Sequence, residues 1–184
     1  MAKFLMQELL GAEAQTARLG AGTATSNALS EKEVGKFVKL GGDSRYQLAV
    51  AGDKIQGTIS SVETATLDNY TIGGVNTECR RTVVFDGLQA TAGTGTLAIG
   101  DYVVVGTAVA KGTAITEDGP RVCKATNQPG ATVTSADNVV GNLNAAIALV
   151  VDQIMVAKYG WRVVSLGSAG TGAVASVGVI EYVG

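Results

Sequence analysis

Short runs of alternating apolar and polar residues, separated by glycine-containing turns, fill the chain from residue 34 onward. In the first run, VGKFVKL, the residues Val34, Val38 and Leu40 occupy alternating positions that would lie on one face of a strand. Gly41 and Gly42 end the run. Similar runs follow at 46–53, 54–67, 78–87, 95–112, 121–126, 161–167 and 173–183. Regular short strands with glycine-rich turns predict a mainly β fold, either an antiparallel β-barrel or a β-sandwich.

Residues 142–158 depart from this alternation. The apolar residues of the segment repeat at helical spacing, and Lys158 and Gly160 suit a helix end. The repeating residues are Leu143, Ile147, Val150, Val151, Ile154 and Met155. Because many of them are β-branched, two strands turning near residues 152–153 also fit the segment. The sequence therefore leaves two alternatives, one helix over 142–158 or two strands.

The first 33 residues read differently from the rest. Residues 11–33 are mostly small and polar, so we expect this stretch to bury too little surface to order itself. The predicted organisation is an extended N-terminal arm over 1–33 and a β-rich domain over 34–184. The tip of the arm carries an apolar patch, which we expect to contact a neighbouring subunit. Its residues are Phe4, Leu5, Met6, Leu9 and Leu10.

Composition narrows the chemistry. The chain of 184 residues has 14 basic and 16 acidic side chains, so a broad nucleic-acid or anionic-membrane surface is not expected. Histidine is absent, which excludes Ser-His-Asp, Cys-His and histidine–metal enzymes. Cys79 and Cys123 lie far apart without a CxxC motif, which favours two free thiols and leaves a single bridge open. We expect no enzyme activity, no cofactor and no metal.

Acidic residues remain the one route to catalysis, since a glycosidase needs only two carboxylates. The candidates are Asp53, Glu63, Asp101, Glu117, Asp118 and Glu181. Several of them lie beside glycine, so we predict solvated turn residues. The glycine clusters contain no Gly-Lys-Ser/Thr, which argues against a phosphate loop. The apolar run 145–151 ends at Asp152 and is too short to span a membrane, so we expect a chain made soluble and intracellular.

Two further features carry predictions. GDKIQGT (52–58) and GDYVVVGT (100–107) resemble each other, and the same type of turn at the start of each segment explains the likeness.

Trp161 is the single tryptophan, next to an apolar stretch. We predict that the Trp161 ring is buried, either in the core of the chain or in an interface between subunits.

Several segments together resemble one protein family. VGKFVKLGGDSRYQLAVAGDKIQGTISSVE, TVVFDGL, GTGTLAIGDYVVVGTAVAKGTA and the ending YGWRVVSLGSAGTGAVASVGVIEYV resemble the head decoration, or cement, proteins of tailed bacteriophages. The resemblance spans roughly residues 34–183. It implies a β-barrel or β-sandwich on the outside of an icosahedral capsid, a trimer or dimer that bridges neighbouring major capsid subunits. The long arm and the insertion at 127–159 depart from the family pattern.

The first functional hypothesis is therefore a virion structural protein, synthesised in the host cytoplasm and located on the capsid exterior. Its partners would be the major capsid protein and further copies of itself, with no nucleic acid and no membrane. The apolar tip of the arm and Trp161 are the predicted capsid or subunit contacts. The alternative is a carbohydrate-binding or host-adhesion β module.

Overall fold

The computed structural model describes residues 14–20, 29–42, 44–64, 71–77, 79–116, 118–128, 140–158 and 160–183. The fold is mainly β, as predicted. The described elements are β1 (Ala14–Arg18), a 3-10 turn (Glu31–Glu33), β2 (Phe37–Leu40), β3 (Tyr46–Leu48), β4 (Gly57–Glu63), β5 (Ile72–Asn76), β6 (Arg80–Leu88), β7 (Thr91–Ala92), β8 (Tyr102–Val105), β9 (Arg121–Lys124), helix α1 (Val140–Lys158), β10 (Gly160–Ser165) and β11 (Val177–Val183).

The first five strands form a small barrel. They pair antiparallel in the order β1-β5-β4-β2-β3. A parallel bridge between Leu19 and Tyr46 joins the two outer strands, and the Gly20 N–H donates to the Tyr46 carbonyl at 2.8 Å. This first barrel encloses a compact apolar core, made of Leu19, Leu29, Val38, Ile59 and Val75.

The remaining six strands form a second sheet in the order β11-β10-β8-β9-β6-β7. Because β11 also pairs with β6, five of these strands close into a ring, and β7 extends β6 as a short hairpin. The pair β6–β9 is parallel, and the other pairs are antiparallel. This second barrel holds the larger core, made of Phe37, Ala49, Ile55, Val83, Phe85, Leu97, Val103, Val105, Val122, Trp161, Val163 and Ile180.

The expected arm over 1–33 needs correction where the structure describes it. Residues 14–18 form strand β1, in register with β5 over its whole length. Leu19 and Leu29 are buried in the first barrel, and Glu33 is fully buried. Sequence analysis did not predict β1, because its residues are mostly small and polar. A strand that pairs with an existing sheet and packs on a core formed by other strands needs few large apolar residues of its own. Phe4, Leu5, Met6, Leu9 and Leu10 lie outside the described residues.

Residues 140–158 form a single helix, α1, so the helix alternative is confirmed and the two-strand alternative is wrong. The β-branched residues that suggested strands are tolerated because a helix packed on a barrel gains its stability from that packing. Helix α1 leads directly into β10 and contacts that strand.

Candidate interaction surface

The inner side of α1 is fixed to the rest of the chain. Ala146 and Gln153 are buried on this side. Asp152 binds two partners from outside the helix: the Lys54 ammonium lies 2.6 Å from one carboxylate oxygen, and the Asn127 side-chain amide donates to the other at 2.8 Å. These hydrogen bonds and the charge of Lys54 hold the pKa of Asp152 below its ordinary value, although partial burial opposes them. The helix therefore has a defined orientation on the second barrel.

The outer side of α1 is apolar. Ile147, Val150, Val151 and Ile154 are 53%, 38%, 53% and 56% exposed. Their spacing of three, four and seven residues places them along one helix face. We call this set the outer stripe. Branched aliphatic side chains gain free energy when they leave water, so the outer stripe is a candidate contact surface.

Two Gly-Asp turns make a second candidate surface and explain the echo in the sequence. In the turn 50–53 the Asp53 carboxylate accepts the Val50 N–H at 2.7 Å, and in the turn 98–101 Asp101 accepts the Ala98 N–H at the same distance. The glycines have φ of +84° and +93°, in the left-handed region that a glycine enters without strain. The sequence motif repeats because the same type of turn occurs twice, as predicted.

Each turn is also attached to the second barrel in the same way. The Gly52 N–H donates to the Val105 carbonyl at 2.8 Å, and the Val105 N–H donates back to the Asp53 carbonyl at 3.0 Å. Gly100 and Asp101 exchange the equivalent pair of bonds with Val163, at 2.8 and 2.9 Å. The two turns therefore have the same shape and the same attachment to a barrel strand.

A lysine completes each turn. Lys39 lies 2.7 Å from Asp53, and Lys124 lies 2.9 Å from Asp101. Each turn also exposes one aliphatic side chain: Val50 is 56% exposed and Ile99 is 66% exposed. The exposed residue opens the first turn and is the second residue of the other, so the presentation is similar and not identical. We call Val50 and Ile99 the turn tips.

One further carboxylate considered for catalysis, Glu181, lies between two arginines. Glu181 binds Arg80 at 2.8 Å and Arg162 at 3.3 Å, and hydrogen bonding to Arg80 is the main reason that its pKa is lowered. It lies in strand β11 and not in a turn, unlike Asp53 and Asp101. Glu117 lies outside the described residues.

Asp86 has a tighter set of partners inside the second barrel. Its carboxylate accepts the Thr107 N–H at 2.7 Å and the Thr107 hydroxyl at 2.6 Å, and Arg121 lies 3.1 Å away. Burial raises the pKa of Asp86, but these hydrogen bonds and the Arg121 charge outweigh it and leave the pKa lowered. The sequence analysis did not single out Asp86. Its partner Thr107 lies 21 residues away along the chain, so the neighbouring sequence gives no sign of the contact.

The described residues contain no group of three or more acidic or cysteine side chains able to hold a metal ion. Both cysteines are free thiols, as favoured. Burial raises the pKa of the Cys123 thiol to about 11, with the Asp86 charge adding to the effect, and burial also raises the pKa of Cys79. Neutral thiols are poor nucleophiles and poor metal ligands.

Trp161 is a core residue of the single chain. It is 1% exposed, and its ring meets Tyr182 edge to face with the ring centroids 6.0 Å apart. Of the two roles predicted for it, core anchor and interface anchor, the structure places it in the first. A ring already covered by its own chain does not offer a contact to a partner.

Arg80 and Arg81 are adjacent in β6, and their side chains point to opposite faces of the strand, as strand geometry predicts. The Arg80 side chain is 64% exposed, whereas Arg81 is 5% exposed as a residue. Burial lowers the pKa of Arg81 to about 10, which keeps it a cation at neutral pH.

Within the described residues, no helix combines the length and the apolar character needed to cross a membrane. Comparison of the chain with protein family models, with curated proteins and with solved structures finds no match in any of the three.

Proposed function

We propose that this protein is a viral structural protein that binds the outer surface of a tailed-phage capsid and cements neighbouring major capsid subunits. The observation that carries the proposal is the pair of equivalent Gly-Asp turns. Each holds an exposed aliphatic side chain, Val50 or Ile99, on a hydrogen-bonded support fixed to a barrel strand. Rigid presentation of apolar side chains reduces the entropy lost on binding, which suits permanent passive attachment.

The chemistry of the carboxylates supports the same class of function. Asp53, Asp86, Asp101, Asp152 and Glu181 each have a basic partner within 3.3 Å. Acidic groups held as ion pairs stabilise a scaffold, while a catalytic acid needs a raised pKa near the working pH. We therefore expect no turnover in hydrolase and glycosidase screens of the pure protein.

The resemblance to phage decoration proteins supplies the partner. In this proposal the turn tips and the N-terminal residues Phe4, Leu5, Met6, Leu9 and Leu10 are the contacts with the capsid. Two or more tethered contacts on one chain bind a lattice more tightly than any one of them, because the later contacts form at high effective concentration.

Sedimentation with undecorated capsids tests the proposal. We expect the full-length chain to bind until it reaches a copy number commensurate with the capsid lattice. A double variant, Val50→Asp with Ile99→Asp, should bind at least about tenfold more weakly, since a charge buried without a partner is costly. The matched control is Ala90→Asp, in the exposed turn between β6 and β7. Binding that does not saturate, or equal loss in both variants, would contradict the proposal.

The carbohydrate-binding alternative receives less support from the described aromatic residues. Phe37, Phe85 and Trp161 are buried, and Tyr46, Tyr102 and Tyr182 are half-buried. Sugar recognition by stacking needs exposed ring faces. A glycan array probed with the full-length chain should give no specific signal, and a saturable glycan signal would favour the alternative.

A further inference from the structure

We infer that a crevice between the two barrels binds a small ligand that combines a short branched aliphatic group with a carboxylate. The crevice lies between β2 and β3 of the first barrel, β8 and β9 of the second barrel, and the loop 107–116 that follows β8. We call this loop the roof loop. The inference concerns a separate site and does not depend on the capsid proposal.

The walls of the crevice are mostly apolar. They include Phe37, Leu48, Ala49, Val105, Val109 and Ile115. About 320 Å³ of space lies between the walls, part of it open to solvent, and the enclosed part is small. Aliphatic groups gain free energy when they leave water for such surroundings. The crevice therefore suits one short branched aliphatic group rather than a large ring system.

Contacts with the segment before β2 hold the roof loop in place. The Lys36 ammonium donates to the Ala110 carbonyl at 2.8 Å, and the Glu33 carboxylate accepts the Gly112 N–H. Between these two residues, Gly35 has no side chain and so leaves room for the roof loop to approach closely. The chain itself thus forms the crevice, and a preformed site limits the entropy lost on binding.

Arg121 supplies the group that would bind the carboxylate. Two cations line the crevice: the Arg121 side chain is 43% exposed and marks the mouth, whereas that of Lys36 is 5% exposed and lies deeper. Nη1 of Arg121 lies 3.1 Å from the Asp86 carboxylate. Among the described residues, none accepts from Nε or Nη2 of Arg121. These two nitrogens form the edge of a guanidinium that binds both oxygens of a carboxylate.

Asp86 orients the Arg121 guanidinium from behind. The Asp86 side chain is only 7% exposed, and its other oxygen accepts the N–H and the hydroxyl of Thr107 at 2.7 and 2.6 Å. A guanidinium fixed at one end offers its remaining donors at a smaller entropic cost. A ligand carboxylate would accept from Arg121 at the mouth while its aliphatic group lies among the apolar walls.

Titration of the full-length, isotope-labelled chain with isocaproate at neutral pH, followed by amide NMR spectra, tests the inference. We expect saturable shifts at amides of the crevice, among them Ala49, Val105 and Val109, with a dissociation constant in the millimolar range for a ligand of this size. Acetate lacks the branched group, and isocaproamide lacks the charge. Each should bind the wild type at least about tenfold more weakly than isocaproate does.

Variants test the role assigned to Arg121. Arg121→Gln should weaken isocaproate binding at least about tenfold, because charge-assisted hydrogen bonds are lost. Arg121→Lys keeps the charge without the paired donors, and its effect should be smaller. The matched control is Lys124→Gln, in the same strand and likewise paired with an aspartate, Asp101; it should bind as the wild type does. Far-UV circular dichroism checks that the variants retain the fold, and the comparison of isocaproate with isocaproamide needs no variant.

The same ligand chemistry is found in a free acid and in the last residue of a peptide. An acetylated dipeptide ending in leucine, with its C-terminus either free or amidated, distinguishes these sources. Tighter binding of the free-ended dipeptide than of isocaproate would identify a chain end as the ligand, and binding of isocaproate alone would identify a free acid. Absence of saturable shifts with both compounds, equal binding of isocaproate and isocaproamide, or shifts confined to residues outside the crevice would overturn the inference.

Discussion

Phe37 and Val38 are neighbours in strand β2, yet their side chains belong to different hydrophobic cores. Phe37 is 3% exposed within the core of the second barrel, and Val38 is fully buried in the core of the first. Because successive side chains of a strand point to opposite faces, β2 serves as a wall shared by the two barrels. Loss of either core should therefore disturb the strand on which the other core depends.

This shared wall predicts one cooperative unfolding transition for both barrels. Val38→Ala should lower the free energy of unfolding by roughly 2 kcal/mol and Phe37→Ala by about 3 to 5 kcal/mol. Each should lower the melting temperature of the whole molecule. Trp161 fluorescence reports on the second barrel and far-UV circular dichroism on all strands, so coincident transitions are expected by both probes. A Val38→Ala variant in which circular dichroism changes before fluorescence would show that the barrels unfold separately.

The extent of β1 predicts different effects for two N-terminal deletions. A chain starting at residue 14 keeps every described contact, and we expect its melting temperature to match that of the full-length chain. A chain starting at residue 34 loses β1 together with Leu19, Leu29 and Glu33. Two buried leucines alone contribute about 2 to 5 kcal/mol each, so the first barrel should not remain folded, and the second barrel should lose stability with it because the two barrels share β2.

Thermal melting and amide hydrogen exchange of the two truncated chains decide this point. Protection of β4 and β5 amides should persist in the chain starting at residue 14 and disappear in the chain starting at residue 34. Full protection of these amides in the chain starting at residue 34 would instead support the sequence-based expectation that residues 1–33 form an extended arm outside the folded domain.

Most strands were predictable from the sequence because alternation survives wherever one face of a strand meets a core. Strand β5, IGGVN, was not predicted, since its two glycines remove the alternation. The structure shows why one of them is there: a side chain at Gly73 would place its Cβ 2.2 Å from the Ser61 carbonyl oxygen. Close approach of two backbones is a tertiary requirement, and a single strand read by itself does not reveal it.

The candidate surfaces were only partly predictable. The Gly-Asp echo was visible because turn chemistry is local. The apolar spacing of α1 was visible too, but periodicity does not tell which apolar face the chain itself covers. That depends on Asp152 reaching Lys54 from almost one hundred residues away along the chain. Ion pairs between distant residues, like that of Asp86 with Arg121, leave no local signal.

The burial of Trp161 leads to a prediction with a matched pair of variants. Trp161→Ala should lower the free energy of unfolding by about 3 to 5 kcal/mol, the range for removal of a large buried ring. The indole Nε1 has no hydrogen-bond partner among the described residues. Trp161→Phe therefore loses ring area without losing a hydrogen bond, and its effect should be clearly smaller. Emission of the folded wild type should be blue-shifted and resistant to iodide. Free quenching by iodide in the folded chain would place the ring at the surface.

Glu33 should make stability depend on acid pH, through contacts that join the first barrel to the loop after β8. One carboxylate oxygen accepts the Ser30 N–H and hydroxyl, both at 2.7 Å, and the other accepts the Gly112 N–H and lies 3.5 Å from the Lys36 ammonium. Burial raises the pKa of Glu33, but these hydrogen bonds and the charge of Lys36 outweigh it and lower the pKa from 4.5 to about 2.

A carboxyl group with a lowered pKa in the folded state stabilises the fold above its ordinary pKa. The stabilisation from Glu33 should be complete above about pH 4.5, fall as the pH drops toward 2, and amount to about 3 kcal/mol. Glu33→Gln should remove this part of the pH dependence, and it should be less stable at neutral pH because Lys36 is then buried without its counter-charge. Urea unfolding from pH 7 to pH 2 measures both effects. Glu31→Gln, at the exposed glutamate of the same turn, is the control and should follow the wild-type curve. If Glu33→Gln and the wild type lose stability in parallel down to pH 2, then the Glu33 carboxylate is not the group responsible for the loss of stability at acid pH.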